Sequence, residues 1–517
     1  MKKTFMLSSM AVLTLACSTT KNVSTTKPTE IHDVNFYANT ITSDELKKDL
    51  YTYASDEFEG RETGEEGQKK AVEFLKQRYV DLGIPSAKTN GDYFQEVPLE
   101  VIKTPEVTLN VNNTDFELIS DFISVLPSAS NTINTTNIIY AGYGIETENY
   151  SDYTTLDVKD KVVLFKAGEP KNTDGTYTIS GTTTTSKWSN FRQEFALKRD
   201  LAKSKGARAI LFYAPDIYDM AANRYGKSHG RMTLQDKEEE LFFFVINTKL
   251  AETILPSIQT ESAPQTLASN FKLNYKKVSE DFNSENVAAF IKGSEKPDEI
   301  IVISAHLDHE GIKDGEVYNG ADDDGSGTVA ILEIAEAFKQ AQNNNEGPKR
   351  SVLFLHVTGE EKGLLGSSYY ADIDPIKPLN NTMVDLNIDM IGRTDPTRKN
   401  TNRNYVYLIG SDKLSTDLHN ISEAVNKSCC NIELDYTFND DNDPNRFYYR
   451  SDHYNFAKNN IPVIFYFNGT HADYHKPTDT PDKIEYDLLE NRTRLIFYTA
   501  WELANRDNKI VVDKAVK

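Results

Sequence analysis

EIIVISAHLDHEG (299–311) and GADDDGSGTVAILEIAEAF (320–338) decide the fold. The first is an unbroken apolar run that stops at His306, Asp308 and His309. A strand with no polar alternation is buried on both faces, as in a parallel sheet, and parallel neighbours need a helical crossover. The second stretch supplies that helix, apolar nearly all round with breaks at Glu333 and Glu336. Ahead of it, Asp322, Asp323 and Asp324 stand in a glycine-bounded loop. The pattern recurs downstream. SVLFLHVTGEEKGLLGSSYYA (351–371) is a strand, then Glu360-Glu361, then a helix; TMVDLNIDMIG (382–392) is a strand with Asp389 near its end. PVIFYFNGTHADYHKPTDT (462–480) is a strand followed by His471, Asp473, Tyr474 and His475. Alternating strand and helix after Glu285 predicts an α/β layered fold.

Ligands in open α/β sheets bind beyond the carboxyl ends of strands, which is where these acids and imidazoles gather. A lone HLDH, aspartate triplet or glutamate pair is an ordinary surface feature. Their combination is not: five of the nine histidines fall at 306, 309, 453, 471 and 475. Two histidines with several carboxylates match hydrolytic zinc sites. The carboxylates exceed what one tetrahedral zinc uses, but suit two metals about 3.5–4 Å apart that share a bridging carboxylate.

The order HLDH, GADDDGSG, GEE, NIDMIG and DYHKPTDT resembles the co-catalytic di-zinc exopeptidases of metallopeptidase family twenty-eight, most of them aminopeptidases. The resemblance spans roughly 40–130 and 285–505, and includes GRETGEEGQ (60–68). It implies a three-layer α/β/α domain with a mixed, mostly parallel sheet. It implies two zinc ions per chain. His306 and Asp389 would hold one, Glu361 and His475 the other, and Asp323 would bridge them, with a cis peptide to Asp324. Glu360 would be the general base. Asp308 would orient the His306 imidazole, Tyr474 would polarise the scissile carbonyl, and Arg450 in RSDHYNF would hold substrate. The implied reaction removes N-terminal residues from peptides. Carboxypeptidase action on the same scaffold and a single-zinc glutaminyl cyclase are the alternatives, the latter disfavoured by the intact aspartate triplet.

The rest of the chain frames this site. Residues 1–16 combine Lys2 and Lys3 with a short apolar run, a secretory signal too short to span a bilayer. Ala16-Cys17 resembles a lipoprotein lipobox, departing from it at Thr14, and implies lipidation at Cys17. The expected location is the bacterial cell envelope, with membrane contact only through that anchor. Residues 17–40 read as the lipidated cysteine and a polar tether, 41–130 as the first part of the peptidase domain and 281–510 as its catalytic part. The insertion between them, 131–280, resembles a protease-associated domain in AGYGIETENYSDYTTLDVKDKVVLFKAGEP (141–170) and LAKSKGARAILFY (201–213).

Composition agrees. Across 517 residues the net charge is −21, with 38% hydrophobic residues. That describes a globular chain whose surface repels phosphate backbones, so the expected partners are peptides, not nucleic acid. Three cysteines make no disulfide framework, and Cys429 and Cys430 are neighbours. Adjacent Cα atoms stand about 3.8 Å apart, closer than an ordinary bridge, so no structural disulfide is expected.

Overall fold

The computed structural model describes residues 32–514, apart from 191–192, 227–229 and 236–239. The expected leader at 1–16 and the expected lipidation site Cys17 lie outside the described residues. Among the described residues, no helix is long and apolar enough to cross a membrane.

Strands β1 (Phe94–Ile102), β2 (Arg231–Leu234), β3 (Ser279–Ile291), β4 (Lys296–His306), β5 (Arg350–Val357), β6 (Thr382–Ile388), β7 (Tyr405–Ile409), β8 (Glu433–Asp435) and β9 (Val463–Phe467) form the main sheet. Their order is β2-β1-β3-β5-β4-β6-β9-β7-β8. The central neighbours β5, β4, β6 and β9 run parallel, bounded by antiparallel β3 and β7. Continuous apolar runs made these strands because both faces are covered. Along β4, Ile301, Ile303 and Ala305 enter one core, while Ile300 and Val302 enter another on the opposite face.

Helices α1 (Ser43–Tyr53), α2 (Glu66–Leu82), α3 (Gly327–Asn343), α4 (Leu365–Asp372), α5 (Thr416–Cys429) and α6 (Tyr486–Asn505) complete the three layers. All but α4 contribute to the first core; α4 and the short helix His453–Ala457 cover the second. Local chemistry sets their ends. The Thr42 side chain caps α1 by accepting the Glu45 N–H, and Gly83 stops α2 in the left-handed region at φ +69°. Helix α3 is buried more completely than its sequence suggests. Glu333, expected at an open stripe, is buried beneath α1, and burial, with Glu45, Glu336 and Asp49 nearby, pushes its carboxyl up to about 9.

The second sheet has eight strands: Thr114–Phe116, Glu106–Val111, Gln265–Lys276, Asn131–Tyr140, Val162–Lys166, Ala209–Tyr213, Phe242–Ile246 and Phe122–Ser124, in spatial order. It has its own cores on both faces. This corrects the expected 131–280 boundary, because pairing with Gln265–Lys276 draws Glu106–Val111 into this sheet. In the other direction, β2 leaves the inserted segment and pairs with β1 of the main sheet. Two further expectations change. The 17–40 tether is too long: Val34–Ala38 is helical, and Tyr37 and Ala38 are buried in the main core. Cys429 and Cys430 are joined in a vicinal disulfide with a Cα–Cα distance of 3.7 Å, contrary to the expectation of none. Cys429 ends α5, Cys430 leaves helical geometry at φ −121°, and the turn continues through Asn431 at φ +50°.

Candidate metal centre

Loops at the carboxyl ends of β4, β5, β6 and β9, with the 321–326 turn, converge on one cleft. Asp323 and Asp324, joined by a cis peptide, lie in that turn, and Asp389 directly follows β6. Gly359 turns the chain at φ +66° ahead of Glu360 and Glu361.

Asp323 stands at the middle. Its Oδ1 lies 3.1 Å from His306 Nε2, which is 3.9 Å from Asp389 Oδ1. Its Oδ2 lies 3.1 Å from His475 Nε2, which is 3.3 Å from Glu361 Oε2. One carboxylate therefore faces two clusters, each with a histidine and a second acid. His306, Asp323 and Asp389 can present ligand atoms within 4.8 Å of one another. Several of these atoms, including His306 Nε2, Asp323 Oδ2 and Glu361 Oε1, are buried without a well-formed hydrogen bond to protein. Buried polar atoms of this kind are normally satisfied, and a cation shared among them would satisfy this set.

The two adjacent glutamates differ in environment. Burial, then the negative charges of Glu361, Asp389 and Asp452 against the pull of His306, holds Glu360 well above the carboxylate range. Glu361 is brought down to about 2: burial and Asp323 oppose ionisation, but the His309 and His475 imidazoles facing it prevail. Tyr474 and Arg450 stand at the same cleft, with Arg450 Nη2 3.5 Å from the Tyr474 hydroxyl. Burial and the charges of Asp323 and Glu361 raise the Tyr474 phenol, keeping it protonated. Met390, Phe447, Phe465 and Phe467 give the cleft an apolar wall.

All five expected ligand residues thus meet at one place, with Glu360, Tyr474 and Arg450 beside them. The expectation for Asp308 needs correction. It is the backbone carbonyl of Asp308 that meets His306 Nδ1, at 3.0 Å; the carboxylate stands 4.0 Å away. That carboxylate instead accepts the Glu360 N–H at 3.1 Å.

Sequence reading assigned no role to several residues that shape the centre. His309 Nδ1 is 2.9 Å from Glu361 Oε1, and Glu310 Oε1 is 3.3 Å from His475 Nδ1. Ser451 donates to Asp389 Oδ2 at 2.7 Å. Asp479 Oδ2 accepts the N–H groups of Asp322 and Asp323 at 2.9 and 3.2 Å, fixing the aspartate turn. His309 and Glu310 are contiguous with the HLDH motif, a signal that could have found them. Ser451 follows Arg450 in RSDHYNF and Asp479 falls in DYHKPTDT, so both stood in quoted motifs, but only the fold shows what they bind.

Residues 286–500 match the model of Peptidase family M28. Aminopeptidase YwaD of Bacillus subtilis (strain 168) is 28% identical over 194 residues, 37% of this chain and 36% of that protein. The probable leucine aminopeptidase 2 of Aspergillus oryzae is 38% identical over 112 residues, 22% of this chain and 20% of that protein. These alignments therefore span little more than a third of either relative at most. Among solved structures, the aminopeptidase from Aneurinibacillus sp. strain AM-1 is 18% identical with a TM-score of 0.49, covering 94% of this chain and 99% of that one.

Proposed function

We propose, taking the M28 peptidase domain at 286–500 as the starting point, that the protein is a zinc-dependent aminopeptidase with two metal positions. The observation that carries this reading is the Asp323 carboxylate, one oxygen facing His306 and the other facing His475. His306 and Asp389 would hold one zinc, Glu361 and His475 the other, with Asp323 common to both. Bound there, zinc supplies Lewis acidity and lowers the pKa of a coordinated water to about 7.

The protein's own groups do the rest. Glu360, at the cleft beside Asp323 and Asp389, takes the proton of the attacking water and delivers it to the leaving amine. The protonated Tyr474 hydroxyl donates to the carbonyl oxygen as negative charge develops there. The acidic groups hold the peptide's free α-ammonium, which confines cleavage to the first residue. The apolar wall of Met390, Phe447, Phe465 and Phe467 favours an apolar side chain at that residue. The signal-like 1–16 and the lipobox-like Cys17 support export to the cell envelope and a lipid anchor. The inserted sheet is read as a protease-associated domain bordering the route to the site.

Two adjacent substitutions test the assignment of roles. Glu360→Gln keeps every proposed ligand and removes the proton acceptor, so both zincs should remain while kcat falls by roughly 10²–10⁴. Glu361→Gln should weaken one zinc site, with activity partly recovered by excess metal. Zinc loss in Glu360→Gln alongside retention in Glu361→Gln would reverse the two roles. Near-normal turnover in Glu360→Gln would remove Glu360 as the base.

A further inference from the structure

The segment GRET (60–63) precedes the matched domain by more than two hundred residues, yet it lies against two of the segments that present the proposed ligands, the loop after β4 and the approach to the aspartate turn. Its backbone runs alongside the loop after β4. Glu62 forms a parallel bridge with His309, the His309 N–H donates to Arg61 O at 3.2 Å, and the Gly311 N–H donates to Gly60 O at 3.0 Å. The approach is close: a Cβ on Gly60, at φ +67°, would stand 2.5 Å from the carbonyl oxygens of Gly311 and Tyr318. Only glycine fits there.

Arg61 is fully buried, and among the described residues it has no carboxylate partner. Its guanidinium donates only to backbone carbonyls: Leu307 at 3.1 Å, Tyr53 at 3.3 Å, Asn319 at 2.6 Å and Gly320 at 2.9 Å. Leu307 directly follows His306; Asn319 and Gly320 lead into the aspartate turn. The group also lies 4.6 Å over the Tyr53 ring. Burying a cation without a counter-charge is costly, and the planar five-donor fork is what lets four carbonyls satisfy it at once. Thr63, also fully buried, donates to Asp308 Oδ2 at 2.7 Å, while Asp308 Oδ1 accepts the Glu360 N–H at 3.1 Å.

We infer that Arg61 and Thr63 are positioning residues of the metal centre. Arg61 ties the loop of His306 to the turn of Asp323, which fixes the spacing between those two ligands. Thr63 orients the Asp308 carboxylate and, through it, the backbone that presents Glu360. The inference rests on the proposed zinc site and extends it to a part of the chain outside the matched domain.

The test uses the full chain. Zinc affinity is measured by competition with a chromophoric chelator, and melting in zinc-free buffer reports folding. Arg61→Lys keeps the charge and loses the fork; it should fold and bind zinc about 10–100-fold more weakly. Thr63→Val should keep zinc and KM and lose about 10–100-fold in kcat, while Thr63→Ser, which restores the hydroxyl, should stay within about twofold of the parent. Folded Arg61→Lys with parental zinc affinity overturns the first role. Thr63→Ser as impaired as Thr63→Val overturns the second, because packing and not the hydroxyl would then matter. If Arg61→Lys does not fold, the threonine pair decides the proposal. Zinc affinity is read without substrate, so a parent chain that binds zinc but cleaves no free-amine peptide refutes the aminopeptidase reading and leaves the Arg61 measurement intact.

Discussion

His356 should make the protein acid-labile by a calculable amount. It lies on β5, wholly buried, with Nε2 2.7 Å from the Tyr79 hydroxyl and Nδ1 without a hydrogen-bond partner among the described residues. Burial pushes its pKa from 6.5 down to about 3. Between those values the unfolded chain binds the proton and the folded chain does not. Stability therefore rises with pH through this window: it is complete above about 6.5 and lost as pH falls towards about 3. Each unit is worth about 1.4 kcal/mol, so His356 alone should remove about 2 kcal/mol by pH 5. His453, buried and likewise lowered to about 3, should bring the sum to about 4 kcal/mol, against a typical total of about 5–15. His356→Gln keeps an acceptor for Tyr79 and cannot charge. Trp501 stacks on Phe338 at 5.7 Å, so in a Trp188→Phe background its fluorescence follows unfolding of the main core in urea. Carboxylate and metal effects are common to both proteins, so the parent–variant difference isolates His356. From about pH 7.5 to about pH 5 the variant should gain about 2 kcal/mol on its parent. A gap unchanged between the two pH values refutes the reasoning.

The remaining predictions concern the proposed chemistry and location. Acetylating the N-terminus of a peptide substrate should abolish its cleavage; equal rates on blocked and free peptides would indicate a different peptidase action. Metal analysis of the dialysed, zinc-saturated chain should find two zincs, and a single zinc at saturation removes the shared role of Asp323. Cys17→Ser should release the protein from membranes, and a parent protein that already fractionates as soluble excludes the anchor.

What was legible in the sequence was what a strand's environment writes into it. Parallel strands buried on both faces leave continuous apolar runs, so β4, β5, β6 and β9 could be read with the ligand-type residues at their ends. The limits of the inserted unit could not. Glu106–Val111 has the mixed texture of a half-exposed strand, and such a strand does not state which sheet it joins. Arg231–Leu234 is four residues long and pairs outside the unit that its place in the sequence suggests. The tether was overestimated because VNFYA is too short to show helical periodicity, although Tyr37 anchors it in the core. In the site, ligands placed at strand ends were visible, whereas Ser451 and Asp308 act through hydrogen bonds whose direction only the folded backbone sets.

The pairing of β2 with β1 makes the inserted unit a brace instead of a flap. Four residue pairs, from Leu99↔Leu234 to Ile102↔Arg231, stitch it to the main sheet. Two short crossings, Phe94–Ile102 into Glu106–Val111 and Gln265–Lys276 into Ser279–Ile291, reinforce the seam. A swinging movement would have to unzip that seam and bare an edge strand, which invites aggregation. A truncation that removes the brace should therefore damage the sheet it supports.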